Sequence, residues 1–145
     1  PQGQRFAGEH ADVGFIVGED VAELAANAKT LRAVARDEFD RDIVVLADVV
    51  IACFPTDAQA QAYTNLIAQH GDTQATENNM RIMRTHSKVW TDEQYARFGR
   101  RFMQSYGCAQ AVGSPETVAN FLVELCECGV DGAAFSFMGH WQENL

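Results

Sequence analysis

Apolar and polar residues alternate along this chain in blocks whose lengths suit strands and helices in turn. Residues 11–17 form a short apolar run bounded by Gly18, and this pattern predicts a buried strand. Residues 20–36 place apolar side chains at helical spacing, with Asp20 positioned to cap the helix. Residues 43–54 are β-branched and nearly unbroken, which is typical of a strand buried on both faces.

Two further helices frame these elements. Residues 4–10 have a helical pattern, and Thr56 is placed to cap an Ala- and Gln-rich helix that reaches about His70. Strands and helices that alternate without hairpin turns predict βα units and a parallel sheet.

Residues 113–137 predict one further αβ unit. Ser114 is the expected N-cap, Pro115 stands at the first helical position, and Gly129 ends the helix. The apolar side of this helix has the i, i+3, i+4, i+7 spacing of one buried face (Val118, Phe121, Leu122 and Leu125). An apolar run at residues 133–137 then predicts a strand.

The alternation lapses between residues 71 and 111, which we interpret as an insertion. It is polar over residues 71–79, and residues 92–106 then predict an amphipathic helix. One side of that helix is mainly aromatic and another is basic (Tyr95, Phe98, Phe102 and Met103; Arg97, Arg100 and Arg101). The basic side is either a solvated face or a partner for phosphate or carboxylate at Arg100 or Arg101. A long irregular segment in a compact domain is usually functional, so the insertion is a candidate lid or substrate wall.

Composition narrows the class of protein. The 145 residues are one domain's worth at most, and the net charge of −9 argues against nucleic acid and anionic membranes as partners. No run is long enough to span a membrane, and no secretory signal is visible. Cys126 and Cys128 would face opposite sides of a helix, and neither the cysteines nor the histidines show metal-ligand spacing. We therefore expect reduced thiols, no metal site and a cytoplasmic protein.

Three separate motifs together resemble one family, the bacterial luciferase-like flavin-dependent monooxygenases. The closing unit, with GSPETVANF and VDGAAFSF, resembles the G-[ST]-P-E-x-V-A helix and D-G-[FA]-x-[LF]-x-F strand of that family. The opening PQGQRFAGEHADVGFI is similar to its S-x-x-G-R-x-F-A-A-x-x-A-D-x-x-F segment. The stretch DAQA at residues 57–60 resembles its T-x-x-E-A start, with Gln59 where Glu is usual. The ending FSFMGHWQENL is closest to the branch that cleaves small organosulfur and nitrogen compounds.

This resemblance implies that residues 1–145 are a single partial domain. It maps them onto the C-terminal portion of a TIM (β/α)8 barrel, from the end of strand five through strand eight. The insertion then falls between strand seven and the last helix. Three parallel strands cannot close a barrel, so the resemblance implies a fragment with two unpaired sheet edges. The alternative is a self-contained small α/β protein whose edges a partner chain or a further strand would cover.

The resemblance also implies a cofactor and a reaction. It implies monooxygenation of a small organic molecule, with C–S or C–N cleavage possible in this branch. Reduced FMN would come from a separate flavin reductase, O2 would be the co-substrate, and the full-length enzyme would be a homo-oligomer. The FMN phosphate would lie at the backbone of Gln2, Gly3 and Gln4, with Arg5 as a charge partner, although Gln4 stands where the family often has Arg. Gly3 would let the anion approach a helix N-terminus without a side chain in the way.

The end of the last strand is the expected substrate side of this site. Phe137, Met138 and Trp141 would form an apolar substrate pocket that excludes water. His140, which titrates near neutral pH, is the candidate catalytic proton-transfer group; the alternative is an exposed residue in a frayed segment.

Two other functions stay open on the same residues. The first is a deazaflavin-dependent hydride-transfer oxidoreductase, whose later barrel strands look alike. The second is a non-catalytic half-barrel that acts as an interaction module.

Overall fold

A computed structural model describes residues 2–86 and 91–139 as six helices and four strands. The elements in chain order are α1 (Gln2–His10), β1 (Val13–Ile16), α2 (Val21–Phe39), β2 (Val44–Cys53), α3 (Asp57–His70), α4 (Thr73–His86), α5 (Asp92–Ser105), β3 (Ala109–Gly113), α6 (Pro115–Glu127) and β4 (Gly132–Phe137). All strand pairs are parallel, as the alternation of strands and helices predicted.

Strand β2 is the centre of the sheet. On one side its first half pairs with β1, from Val13 opposite Val44 to Ile16 opposite Ala47. Its second half pairs with β3, from Val49 opposite Ala109 onward. Strand β4 pairs with residues 46–51 of β2, and this overlap with both other ladders places it on the opposite side. Strands β1 and β3 therefore follow one another along the same edge of β2.

The insertion is more regular than its sequence suggested. Helix α4 covers most of the polar stretch for which we expected irregular structure, and β3 is a strand that the pattern did not predict. Helix α4 packs on α5, and α5 packs on α3, so each amphipathic helix gains a tertiary partner. Strand β3 satisfies the backbone groups of β2 beyond the end of β1. Tertiary partners, which a local pattern does not reveal, account for both differences.

The predicted helix caps are confirmed. The side chains of Asp20, Thr56 and Ser114 each accept a hydrogen bond from the backbone N–H three residues later. Helix α2, however, runs three residues beyond its expected end at Arg36. It ends where Asp40 adopts the left-handed conformation (φ 51°), and the Asp40 N–H donates to carbonyls of the last turn.

The main core lies between one face of the sheet and helices α2 and α6. Strand β2 contributes alternate residues to it, and the helices contribute the apolar faces that their spacing predicted (Val45, Ala47, Val49 and Ile51; Leu24, Ala28, Leu31 and Ala35; Val118 and Leu125). We call the opposite face of the sheet, which carries Asp48 and Val50, the inner face. A smaller cluster covers the part of the inner face near the carboxyl end of β2. There Val50, Ala52, Cys108 and Met138 pack with Tyr63 and Ile67 of α3.

The part of the inner face formed by β1 and the amino end of β2 is exposed to solvent. Phe15 is 62 % exposed, and Val13, Val17 and Val44 are also exposed there. Within the described residues, β1 and β4 pair only with β2, so each leaves one edge unpaired. An open apolar face next to unpaired strand edges favours association with another chain.

We predict that the 145-residue chain, expressed by itself, will be poorly soluble or oligomeric and will not retain FMN. The open inner face and the two unpaired edges are the physical reasons for the association, and FMN would be lost because a partial barrel would hold only part of the flavin site. Light scattering coupled to size-exclusion chromatography measures the mass. Replacing Phe15 by Thr, which keeps β propensity but removes a large exposed apolar side chain from the open inner face, should reduce the association. A monodisperse 16 kDa monomer with a cooperative melt would instead indicate a self-contained domain.

Candidate functional site

Strands β1 and β3 pair with different parts of the same side of β2, and Asp48 lies between the two paired parts. Strand β1 ends with Ile16 opposite Ala47, whereas β3 begins with Ala109 opposite Val49. Asp48 therefore lies in the gap between the two ladders, at the level where β1 ends. On the other side of β2 it is opposite Ala134 of β4. Asp48 is thus a carboxylate on the inner face, level with the end of β1 and midway along β2.

A cleft of about 320 Å³ opens on the inner face at Asp48. Strands β2 and β4 and the end of α5 surround it (Asp48, Val50, Gln104, Ser105, Tyr106, Cys108, Ser136, Phe137 and Met138). Helix α5 ends beside the cleft because Tyr106 and Gly107 both have positive φ. A Cβ at Gly107 would lie 2.2 Å from the Phe98 ring, so only glycine fits this turn. The turn brings the insertion against the inner face.

Cys108 lies against Asp48 at the wall of this cleft. Burial, together with the charge of Asp48 and a hydrogen bond to it, raises the pKa of the Cys108 thiol to about 11. At neutral pH the thiol is therefore protonated and donates to the carboxylate. A thiol in this state is a poor nucleophile, so Cys108 is a structural partner of Asp48.

Asp48 is the site residue that the sequence reasoning missed. The stretch of residues 43–54 was interpreted only as a doubly buried strand. Asp48 is the single charged residue of this stretch. Charged side chains are rarely buried without a partner, so a lone carboxylate in an apolar run was the sequence signal that could have indicated a site residue.

Glu19 follows β1, and its carboxylate forms ion pairs with two arginines of the insertion. Its carboxylate lies 3.0 Å from Arg97 Nε and 3.0 Å from Arg101 Nη1, and Arg101 also donates to the Glu19 carbonyl. The Glu19 and Arg101 side chains are each only 23 % exposed. Arg101 therefore has a carboxylate partner, as one of the two interpretations of the basic side of α5 expected. Two arginines on one carboxylate fix α5 above the end of β1.

Two other carboxylates bind backbone groups and have structural roles. Asp57 accepts from the Ser114 N–H at 2.6 Å and from the Thr117 hydroxyl at 2.7 Å. These hydrogen bonds lower the pKa of Asp57 and join the starts of α3 and α6. Asp131 accepts from the Val45 N–H at 2.7 Å and from Arg32 at 2.6 Å, and the bond from Val45 is the main reason that its pKa is lowered.

The predicted cofactor residues lie at the start of α1. Gln2 and Gly3 are exposed, and a Cβ built on Gly3 would meet nothing within 4 Å. The Arg5 guanidinium is 2.7 Å from the Glu38 carboxylate and lies over the Phe39 ring, at the end of α2. Arg5 is thus engaged near the amino-terminal edge of the sheet, and the role of all four residues, Gln4 included, stays a prediction.

The predicted substrate residues fall partly inside the described chain. Met138 is buried in the small inner cluster, and Phe137 is 56 % exposed at the rim of the cleft. The structure therefore brings the Met138 side chain to the cleft that holds Asp48, whereas Phe137, opposite Ile51 in the register, belongs to the other face of the sheet. His140 and Trp141 lie outside the described residues.

The fold and this edge define the class of the protein: a parallel α/β sheet that is part of a (β/α)8 barrel. The family model for luciferase-like monooxygenases matches residues 1–132. The chain therefore belongs to the luciferase-like monooxygenase family, a family of flavin-dependent oxidoreductases and monooxygenases.

Solved structures agree with this assignment at the level of the fold. DmoA from Hyphomicrobium sulfonivorans is 16 % identical with a TM-score of 0.74, over 99 % of this chain and 36 % of its own. Riboflavin lyase (RcaE), solved with modified FMN and riboflavin, is 20 % identical with a TM-score of 0.74, over 98 % and 38 %. Long-chain alkane monooxygenase (LadA) is 20 % identical with a TM-score of 0.73, over 93 % and 34 %.

The chain thus spans little more than a third of the length of these structures, which confirms the prediction of a partial barrel. A comparison with curated protein sequences gave no match. In the described ranges, no helix is both long and apolar enough to cross a membrane.

We predict that Glu19→Gln will loosen the insertion. The change removes both ion pairs that tie α5 to the end of β1 while keeping the side-chain shape. A loss of about 1 kcal/mol would increase local opening about fivefold. Limited trypsin digestion, followed by mass spectrometry, should show correspondingly faster cleavage after Arg97 and Arg101. Glu124→Gln, on the exposed side of α6, is the charge-matched control and should digest like the wild type. Equal rates in all three proteins would show that Glu19 does not anchor α5.

Proposed function

We propose that this chain forms one side of the active-site mouth of an FMN-dependent monooxygenase. Reduced FMN comes from a separate reductase, O2 is the co-substrate, and the substrate is a small organic molecule cleaved at a C–S or C–N bond. The match of the family model over residues 1–132 carries the proposal. The modified FMN in the riboflavin lyase structure supports the choice of flavin.

The start of α1 fits a flavin phosphate. The first turn of a helix leaves N–H groups without intrahelical partners, and such groups bind anions. This first turn contains no acidic residue, and Gly3 leaves open space where a side chain would stand. Gln2, Gly3 and Gln4 would therefore hold the phosphate. Arg5 is paired with Glu38, so the backbone and not Arg5 would supply the contacts.

The remaining residues of the mouth would position the substrate and exclude water. The bound flavin supplies the activation of O2. Met138 lines the cleft with apolar surface. We assign Phe137, at the rim of the cleft, and Trp141 to the substrate pocket and His140 to proton transfer. Because the Cys108 thiol stays protonated, it does not compete as a nucleophile.

We assign the insertion, residues 71–111, as a wall over the carboxyl edge. Its helix α5 is tied to Glu19 by two arginines, and its last turn reaches the cleft. This arrangement would shield a reactive flavin from water. We further propose that the full-length enzyme is a homo-oligomer in the cytoplasm, where its four free cysteines would stay reduced.

We predict that Gly3→Val in the intact protein will weaken FMN binding by at least about tenfold. The β-branched side chain would obstruct the anion and remove one or two charge-assisted hydrogen bonds, each of about 1.5–3 kcal/mol. Flavin fluorescence titration measures the affinity. The melting temperature without FMN should change little, because a Cβ at Gly3 meets no other atom.

The matched control is Glu9→Val, at the other end of the same helix. It introduces the same β-branched side chain at another exposed position of α1 but leaves the first turn free. Its FMN affinity should equal that of the wild type. If Gly3→Val also binds FMN with wild-type affinity, the phosphate site lies elsewhere.

Oxygen consumption tests the reaction class. The intact protein, supplied with FMN, a flavin reductase and NAD(P)H, should convert substrate only when O2 is present. Because free reduced FMN also reacts with O2, O2 uptake is compared with the same mixture without the protein. A deazaflavin-dependent hydride transfer would convert substrate without O2, and a non-catalytic half-barrel would convert no substrate.

A further inference from the structure

Asp48 differs from the other carboxylates that the described residues place around the sheet edges. Glu19 is neutralised by two arginines, and Asp131 is paired with Arg32. Asp57 accepts hydrogen bonds from a backbone N–H and a hydroxyl group. Asp48 contacts the Cys108 thiol, a neutral donor, and none of the ion pairs between the side chains that the structure describes includes it. The charge of Arg101 acts on Cys108, but its guanidinium is paired with Glu19, so the Asp48 carboxylate has no ion-pair partner of its own among these side chains.

The surroundings of Asp48 favour a cation in the cleft. The carboxylate is half-buried on a wall shared with Val50 and Met138, which are apolar and buried. An uncompensated charge beside apolar surface is costly, and a bound cation would offset that cost. Ser136, on the same inner face of β4 opposite Val50, adds a hydroxyl acceptor beside it. The net charge of −9 also attracts cations and repels anions over longer distances.

We infer that Asp48 is a substrate-recognition residue that binds a protonated amine of the ligand held in this cleft. The ammonium group would donate to the Asp48 carboxylate, and the attached carbon chain would lie against Val50 and Met138. The cleft has the size for a small aliphatic amine. This inference rests on the proposed function, because it assigns the polar end of the same substrate site.

The test uses the intact protein and three probes of equal chain length: n-butylammonium, n-butanol and n-butyrate. Ligand-observed NMR titration at constant ionic strength measures their dissociation constants. We expect wild type to bind butylammonium at least about tenfold more tightly than butanol, and to bind butyrate most weakly. Asp48→Asn, which preserves the side-chain shape, should reduce the affinity for butylammonium to that for butanol.

Glu124→Gln is the control, because it changes the net charge equally but lies at an exposed position of α6. It should retain the preference for butylammonium. An Asp48→Asn protein that binds butylammonium like the wild type would overturn the inference. So would a wild type that does not distinguish butylammonium from butanol. This second comparison needs no variant, so it decides the question even if Asp48→Asn fails to fold.

FMN affinity measured on the same samples separates this inference from the proposed function. A wild type that binds FMN without preferring the amine would reject the role of Asp48 alone. A wild type that prefers the amine but binds no FMN would reject the flavin proposal, and the amine site would stand.

Discussion

Strand β2 provides the hydrogen-bonding partners for every other strand of the described sheet. It is ten residues long, and β1 and β3 share one of its sides while β4 occupies the other. Its side chains serve both layers, because Val45, Ala47, Val49 and Ile51 pack under helices α2 and α6 and Val50 and Ala52 lie in the inner cluster. Any change in the register of β2 would therefore displace both the core and the edge that carries the site.

The division of one side of β2 between two strands creates the candidate site. Because β1 ends at the level of Ala47 and β3 starts at Val49, Asp48 has no strand partner on this side of β2 and pairs only with Ala134 of β4 on the other. Cys108 enters the gap between the two ladders from the end of the insertion. The insertion is thus part of the sheet through β3 and part of the site through α5, and Glu19 ties α5 to the end of β1.

The carboxylates of this acidic chain differ in the partners that lie next to them. Most of the carboxylates near the helix and strand ends bind arginines or backbone N–H groups, which gives them structural roles. Asp48 is the exception on the inner face, and its neighbour Cys108 is kept protonated by burial and by that same carboxylate. Chemistry at this mouth would therefore use the carboxylate and the apolar wall, with the thiol as support.

The sequence by itself determined the elements that local rules govern. Cap residues such as Asp20 and Ser114, the apolar spacing of α6 and the β-branched run of β2 each act within a few residues, so the parallel α/β class and the family resemblance followed from them. The tertiary structure alone decided the remainder. Strand β3 exists because β2 offers unpaired backbone beyond β1, and Arg101 meets Glu19, which lies 82 positions earlier in the chain. Asp48 looked like an isolated charge in a buried strand, and only the stepped pairing of its neighbours placed it at a cleft. Contacts between distant residues depend on how whole elements pack, and no local pattern contains that information.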